Sequence, residues 1–128
     1  MGEETKKLLV VDDEEFVRDS FVDYFEDCLW QVEFSAKEED ALDILRNIDI
    51  DCAIVDIRMG GMGGDQFIRE ANKINNKMAF VICTGSPEYE MPDDILAMDN
   101  VATEVFSKPV SDLQRLENML SELVNAIK

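Results

Sequence analysis

The chain has 128 residues, 46% of them hydrophobic and 32% charged, and this length and composition suit a single folded domain over residues 1–128. Its 29 acidic and 12 basic residues give a net charge of −17, which argues against binding to nucleic acid or to an anionic membrane. The sequence contains no histidine, and this excludes Ser-His-Asp and Cys-His catalysis, histidine-based zinc sites and self-phosphorylation on histidine.

The start of the chain and its cysteines favour a cytoplasmic location. Residues 1–4 are polar and acidic, unlike the basic start of a secretory signal peptide. No apolar run approaches the roughly 20 residues of a membrane-spanning helix. The three cysteines, Cys28, Cys52 and Cys83, lack metal-ligand spacing, and the last two lie in apolar runs that are typical of buried thiols. We therefore expect a cytoplasmic protein whose thiols are reduced.

Short apolar runs alternate along the chain with longer segments of helical periodicity. The predicted elements are, in chain order, a strand at Leu8–Val11, a helix with apolar positions from Val17 to Cys28, a strand at Val32 and Phe34, a helix from Ala41 to Ile48, a strand at Ala53–Val55, a helix from Phe67 to Ile74, a strand at Ala79–Cys83, a short helix after Pro92, a strand at Val105 and Phe106, and a helix from Leu113 to Ile127. Five strands alternating with five helices predict an α/β domain with a parallel sheet and right-handed crossovers.

Two of the helix starts carry the sequence of a capping box. The segments Ser35-x-x-Glu38 and Ser111-x-x-Gln114 place a hydroxyl three residues before a side chain that can reach back to its main-chain N–H. We therefore predict that Ser35 and Ser111 are the capping residues of their helices.

Polar residues follow four of the five predicted strands. Asp12 and Asp13 end the first strand, Asp56 the third and Thr84 the fourth, and Lys108 follows the fifth. In an open parallel sheet, ligands bind at the carboxyl ends of the strands, where the strand order reverses. With strand order 2-1-3-4-5, this point lies between the first and third strands and brings the three aspartates together.

Three carboxylates in one crevice need a counter-charge. Two unit charges about 4 Å apart repel by about 4 kcal/mol at an effective dielectric constant of 20. Oxygen ligands with room for water suit Mg²⁺, with Mn²⁺ as a possible substitute, and Lys108 can also pair with Asp56. Each feature alone has a simpler interpretation, because acids complement helix N-termini and a single Asp often lies in a turn. The joint order of acid pair, acid, hydroxyl and lysine at successive strand ends favours a functional site.

With these motifs in place, the sequence resembles the receiver domain of bacterial two-component response regulators over essentially its whole length. The segment Leu8–Glu14 looks like the first strand and acid pair of that family, and Ile54–Met59 looks like its phosphoacceptor strand and loop. Thr84, Lys108-Pro109, and Met62 with Gly64 match its remaining signatures. The resemblance implies a flavodoxin-like (CheY-like), doubly wound sheet.

The resemblance also implies a role for each site residue. Asp12, Asp13, Asp56 and the main-chain carbonyl of Arg58 would hold Mg²⁺. Asp56 would accept a phosphoryl group from a sensor histidine kinase or a histidine phosphotransfer protein, in an in-line displacement assisted by Mg²⁺ and the lysine.

After this transfer, Thr84 and Lys108 would contact the new phosphoryl group. Such a chain is a signalling module and no enzyme beyond its own phosphorylation and dephosphorylation. Its output partner or output domain is not specified by the sequence.

The sequence departs from the family pattern at three places. The loop after the acceptor usually contains proline, but here it reads Gly60-Gly61-Met62-Gly63-Gly64. The residue after Thr84 is Gly85, which is small enough to leave a phosphoryl group accessible. The family usually has an aromatic switch residue three positions before the lysine, where this chain has Val105, and Phe106 occupies the neighbouring, opposite-facing position.

Two other functions use similar residues. A haloacid-dehalogenase-like, Mg²⁺-dependent phosphatase also combines Asp, Thr and Lys, but it carries a D-x-D motif after its first strand, where this chain has Asp12-Asp13-Glu14, and no substrate-specificity cap is present here. A degenerate receiver that acts only as a binding module is disfavoured, because all five site side chains are present.

Overall fold

The computed structural model describes residues 5–127, which are built around a five-stranded parallel sheet. Residues 1–4, on which the prediction of no signal peptide rests, lie outside the described residues. The elements are, in chain order, β1 (Lys7–Val11), α1 (Glu15–Asp27), β2 (Gln31–Ser35), α2 (Glu38–Asn47), β3 (Cys52–Asp56), α3 (Gly64–Ile74), β4 (Ala79–Thr84), α4 (Asp93–Leu96), β5 (Val101–Ser107) and α5 (Leu113–Ile127). The strand order β2-β1-β3-β4-β5 confirms the predicted doubly wound, CheY-like sheet with five helices.

Helices cover both faces of the sheet, which is why the three central strands are continuously apolar. Leu9 and Val11 of β1 belong to the core under α2, α3 and α4, whereas Leu8 and Val10 belong to the core under α1 and α5. All five residues of β3 and all six of β4 are buried. Of the described helices, none has the length and apolar character needed to cross a membrane.

The two edge strands are longer than the apolar residues alone predict. β2 adds one polar residue on either side of the predicted residues 32–34, and the predicted Phe34 is 53% exposed beneath the guanidinium of Arg18. In β5, Val105 is half-buried on the α4 side and Phe106 is buried on the α5 side, so the two side chains face in opposite directions as predicted. The first two residues of β5 are buried, but an exposed and a partly exposed polar residue separate them from Val105, and this interruption hides the start of the strand from the apolar pattern.

Both predicted capping boxes are wrong. The residue before α2 is Lys37, and Ser35 instead ends β2, where its hydroxyl accepts a hydrogen bond from the main-chain N–H of Lys37 at 3.1 Å. At α5 the cap lies one residue later than predicted, because Asp112 Oδ1 accepts from the N–H of Arg115 at 3.0 Å. A carboxylate at the adjacent position competes well with the Ser111 hydroxyl for the same role.

Candidate functional site

The three aspartates lie together at the carboxyl ends of β1 and β3. Val11 is paired with Val55, so the residues that follow them, Asp12 and Asp56, are neighbours across the two strands. Asp12, Asp13 and Asp56 each place one carboxylate oxygen within 4.8 Å of the other two. Asp12 and Asp56 are buried, whereas Asp13 is exposed to solvent. The strand order thus assembles the acidic cluster that the sequence predicts.

Local hydrogen bonds fix Asp12 at the end of its strand. Its Oδ1 accepts from the N–H of Glu14 at 2.9 Å, and its own N–H donates to the carbonyl of Ser35 at 3.1 Å. The Arg18 guanidinium donates to the Asp12 carbonyl at 3.1 Å. These contacts hold both the main chain and the side chain of Asp12. They leave the second carboxylate oxygen, Oδ2, available for other partners.

Lys108 provides the positive charge of the cluster. Its Nζ lies 3.1 Å from Asp12 Oδ2, 3.2 Å from Asp56 Oδ2 and 2.7 Å from Glu14 Oε1. The lysine side chain is only 10% exposed, so water screens these contacts less than at an open surface. The main-chain N–H of Lys108 donates to the Thr84 carbonyl at 3.0 Å, which fixes the start of the side chain.

Burial, neighbouring charges and hydrogen bonds together shift the pKa values of this cluster. Burial raises the pKa of Asp12, although its hydrogen bonds to Glu14 and Lys108 partly offset the effect. Burial, followed by the negative charge of Asp12, raises the pKa of Asp56. Burial alone would lower the pKa of Lys108, but the hydrogen bonds to Glu14 and Asp12 raise it overall. The site favours a charged lysine and carries excess negative charge.

An open cleft of about 350 Å³ lies above the Asp56 carboxylate. Thr84 and Lys108 line it, and an ion pair between Arg58 and Glu88, at 3.5 Å, lies at its exposed rim. The Thr84 hydroxyl accepts from the N–H of Ser86 at 3.1 Å. A ligand in the cleft can therefore reach the carboxylate, the ammonium group and the hydroxyl together.

Glu14 is a charged partner that the sequence pattern does not single out, because there it is only the third residue of an acidic motif. It makes the shortest of the three contacts to Lys108. A third acid after the strand, paired with a lysine after β5, was the signal available. The contact between Arg58 and Asp56 runs from the Arg58 N–H to Asp56 Oδ1 at 3.4 Å, and the Arg58 carbonyl as a metal ligand stays a prediction.

Comparison with known proteins identifies the family to which this arrangement belongs. The model of the response regulator receiver domain family matches residues 8–121. Response regulator SaeR of Staphylococcus aureus is 29% identical over 119 residues, which cover 91% of this chain and 51% of SaeR. The chain therefore spans about half the length of the curated relatives it matches.

Solved structures show the same fold. A CheY-like receiver domain protein from Methanospirillum hungatei superposes with a TM-score of 0.80 at 24% identity, covering 95% of this chain and 96% of the other. A response regulator receiver protein from Sinorhizobium medicae superposes with a TM-score of 0.77 at 25% identity, covering 98% of both chains.

Proposed function

This chain belongs to the response regulator receiver domain family, and we propose that it accepts a phosphoryl group on Asp56 and passes on the resulting change of shape. The observation that carries the proposal is the buried Asp56 carboxylate, which lies at the base of an open cleft with Lys108 Nζ 3.2 Å away. The phosphoryl donor is a phosphohistidine of a sensor histidine kinase or a histidine phosphotransfer protein. The chain supplies no histidine of its own.

The residues of the cleft have distinct parts in this transfer. One oxygen of Asp56 forms the new P–O bond while the P–N bond to the donor histidine breaks, and the imidazole keeps the electron pair of that bond. Lys108 offsets negative charge on the phosphoryl oxygens, because its ammonium group already lies beside the acceptor carboxylate. The Thr84 hydroxyl, which lines the same cleft, turns toward the bound phosphoryl group and gives up its contact with Ser86.

The donor set fits a hard divalent cation. Three carboxylate oxygens within 4.8 Å of one another, two of them on buried residues, retain more negative charge than one lysine can offset. Oxygen ligands of this kind suit Mg²⁺, with Mn²⁺ as a substitute. Asp12, Asp13, Asp56 and the Arg58 carbonyl would hold the ion, which when bound would supply positive charge to the transferring phosphoryl oxygens.

We also propose the setting in which the domain works. Residues 1–128 act as one receiver domain in the cytoplasm, as a signalling module whose own chemistry is limited to gain and loss of the phosphoryl group. The surplus of acidic residues disfavours direct contact with nucleic acid or an anionic membrane. The output partner or output domain is separate from this chemistry.

The test is phosphoryl incorporation from acetyl phosphate, followed by intact mass. With Mg²⁺, the wild-type protein should gain the mass of one phosphoryl group, and Asp56→Asn should gain none. Omitting Mg²⁺ should slow the labelling of wild type. Stable labelling of Asp56→Asn at the wild-type level would show that Asp56 is not the acceptor, and no labelling of either protein would favour a degenerate receiver.

A further inference from the structure

Glu38, the first residue of α2, is a buried carboxylate that the proposed chemistry does not use. Only 2% of Glu38 is exposed, and its Oε2 accepts a hydrogen bond from the main-chain N–H of Gly63 at 3.0 Å. Gly63 is the residue immediately before α3. The side chain therefore reaches from the start of one helix to the start of the next.

The start of α3 cannot provide this hydrogen bond itself. The N–H of the capping residue is one of the unpaired donors at a helix start, and in a capping box the side chain three residues later accepts from it. At α3 the capping residue is Gly63, which has a φ of +87°. The side chain three residues later, Gln66, contacts Glu70 and Arg69 instead. Glu38 supplies an acceptor from 25 residues earlier in the sequence.

The neighbouring glycine leaves room for the carboxylate. A Cβ atom added to Gly61 would lie 2.4 Å from Glu38 Oε1, closer than real Cβ contacts. The next two nearest atoms, at 3.3 and 3.7 Å, also belong to the Glu38 carboxyl group. The Glu38 carboxylate therefore occupies the space that a side chain at Gly61 would need.

The loop that Glu38 contacts begins at the phosphoacceptor. Gly64 donates its N–H to the Ile57 carbonyl at 3.0 Å, and a Cβ on Gly64 would lie 2.6 Å from the Asp56 carbonyl oxygen. The start of α3 therefore packs directly on the main chain of Asp56. The α3 start thus bears on Asp56 and on the segment that contains Arg58, two of the four residues whose oxygens would hold the metal.

Two helix N-termini, rather than a cation, offset the negative charge of Glu38. Among residues 5–127, no lysine or arginine forms an ion pair with Glu38. The carboxylate lies at the N-terminus of α2 and bonds to the N-terminus of α3, where the partial charges of unpaired N–H groups favour an anion. The hydrogen bond to the Gly63 N–H is therefore the polar contact that the structure shows for the Glu38 side chain within residues 5–127.

From these contacts we propose that Glu38 is a positioning residue, which holds the 57–63 loop and thereby the Asp56 and Arg58 oxygens in the geometry that binds Mg²⁺ and accepts phosphate. The proposal rests on the proposed function and adds to it. The glycine-rich loop lacks the stiffening of a proline, and the carboxylate of a neighbouring helix replaces that stiffening.

The experiment compares Glu38→Ala, Glu38→Gln and Gly61→Ala with the matched control Glu39→Ala, which removes an exposed carboxylate from the same helical turn. Three quantities are measured at a temperature where every variant is folded. They are amide hydrogen exchange at Gly63 without metal, the Mg²⁺ dissociation constant by calorimetry, and the rate of labelling by acetyl phosphate.

We expect Glu38→Ala to lose exchange protection at Gly63 and to bind Mg²⁺ about tenfold more weakly, the loss typical when a group supporting a metal ligand is removed. Its labelling rate should fall in parallel. Glu38→Gln keeps an acceptor oxygen and should recover most of each quantity, and Glu39→Ala should match wild type. Gly61→Ala should resemble Glu38→Ala, because its methyl group displaces the carboxylate. A variant that combines Glu38→Ala with Gly61→Ala should bind Mg²⁺ and be labelled no worse than either single variant.

Wild-type Mg²⁺ affinity and labelling rate in Glu38→Ala, with only a lowered melting temperature, would overturn the proposal and leave Glu38 as a helix cap. Unchanged exchange at Gly63 would overturn it as well. If wild type itself is not labelled, the proposed function fails, and exchange at Gly63 together with Mg²⁺ affinity still decides whether Glu38 holds the loop.

Discussion

Lys108 Nζ lies 3.2 Å from Oδ2 of Asp56, although Asp56 ends β3, Lys108 follows β5, and β4 separates these two strands in the sheet. The lysine therefore reaches over the end of β4 to the acidic cluster between β1 and β3. Its contact with Asp12, at 3.1 Å, lies farther along the same direction. One side chain from β5 thus offsets charge at the ends of two strands.

Replacing Lys108 by Met should destabilise the metal-free protein by about 3 kcal/mol, because removing one partner leaves buried carboxylates uncompensated. Mg²⁺ should recover much of this loss and should bind the variant more tightly than wild type. Urea unfolding in EDTA and in millimolar Mg²⁺ measures both effects. Lys73→Met is the control, since this lysine is 73% exposed in its pair with Glu70 and should change stability by less than about 0.5 kcal/mol. Equal stability of Lys108→Met and wild type in EDTA would contradict the charge argument.

Asp13→Ala should remove the gain in stability that Mg²⁺ gives the wild-type protein. Asp13 is the exposed member of the carboxylate cluster, so its loss costs little packing and leaves the ion pairs of Asp12 and Asp56 with Lys108 in place. A single site should stabilise the fold by about 2.7 kcal/mol at 100 times its dissociation constant. Melting curves across a Mg²⁺ titration measure this gain. If wild type gains nothing in millimolar Mg²⁺, the three carboxylates do not form a metal site.

The sequence predicts the sheet and the acidic cluster well because both depend on local patterns. Apolar runs identify buried strands, and parallel strands bring their carboxyl ends to one edge, which is sufficient to place Asp12 beside Asp56. Contacts between distant segments have no such pattern. Glu38 looks like part of a capping box, but its partner is Gly63, and Ser35 bonds to Lys37 instead. The choice between these partners depends on how α2 and α3 pack, which local spacing does not encode.

The end of α1 is a second feature that the sequence pattern does not predict. The N–H of Leu29 donates to the Glu26 carbonyl and that of Trp30 to the Phe25 carbonyl, which together form a Schellman motif. Such a motif usually has glycine at the left-handed position, but here that residue is Leu29, with a φ of 69° and 83% exposure. The end of this helix therefore carries no glycine by which it could be predicted.

Replacing Leu29 by Gly should stabilise the protein by about 0.5–1 kcal/mol. The left-handed conformation costs a residue with a Cβ about 1–2 kcal/mol, and the greater backbone freedom of glycine in the unfolded chain cancels part of that gain. The exposed leucine side chain gives up little packing. Chemical denaturation of wild type, Leu29→Gly and the control Leu29→Ala measures the effect. A gain of the same size in Leu29→Ala would show that side-chain exposure, rather than backbone strain, is responsible.

We expect the signal to leave the site through the loop after β4. At present the Thr84 hydroxyl accepts from the N–H of Ser86 at 3.1 Å, so turning that hydroxyl toward a phosphoryl group removes the acceptor and frees the loop after β4. The same loop carries Tyr89, whose hydroxyl donates to Asp65 of α3 at 2.6 Å, and α4 is tied to α3 through the pair of Arg69 with Asp94. The change should therefore run along residues 85–98.

Val105 should take no part in this change, because a β-branched side chain has one strongly preferred χ1 and no ring to bury or expose. It is half-buried on the α4 side of β5, where it is paired with Ile82. A chemical-shift map with Mg²⁺ and beryllofluoride, a phosphoryl mimic, should show large shifts at residues 85–98 and an unchanged Val105 χ1. Tyr89→Phe, which lacks the hydroxyl that contacts Asp65, should move the same amides part of the way without beryllofluoride. A Val105 rotamer change with residues 85–98 unmoved would reject this route.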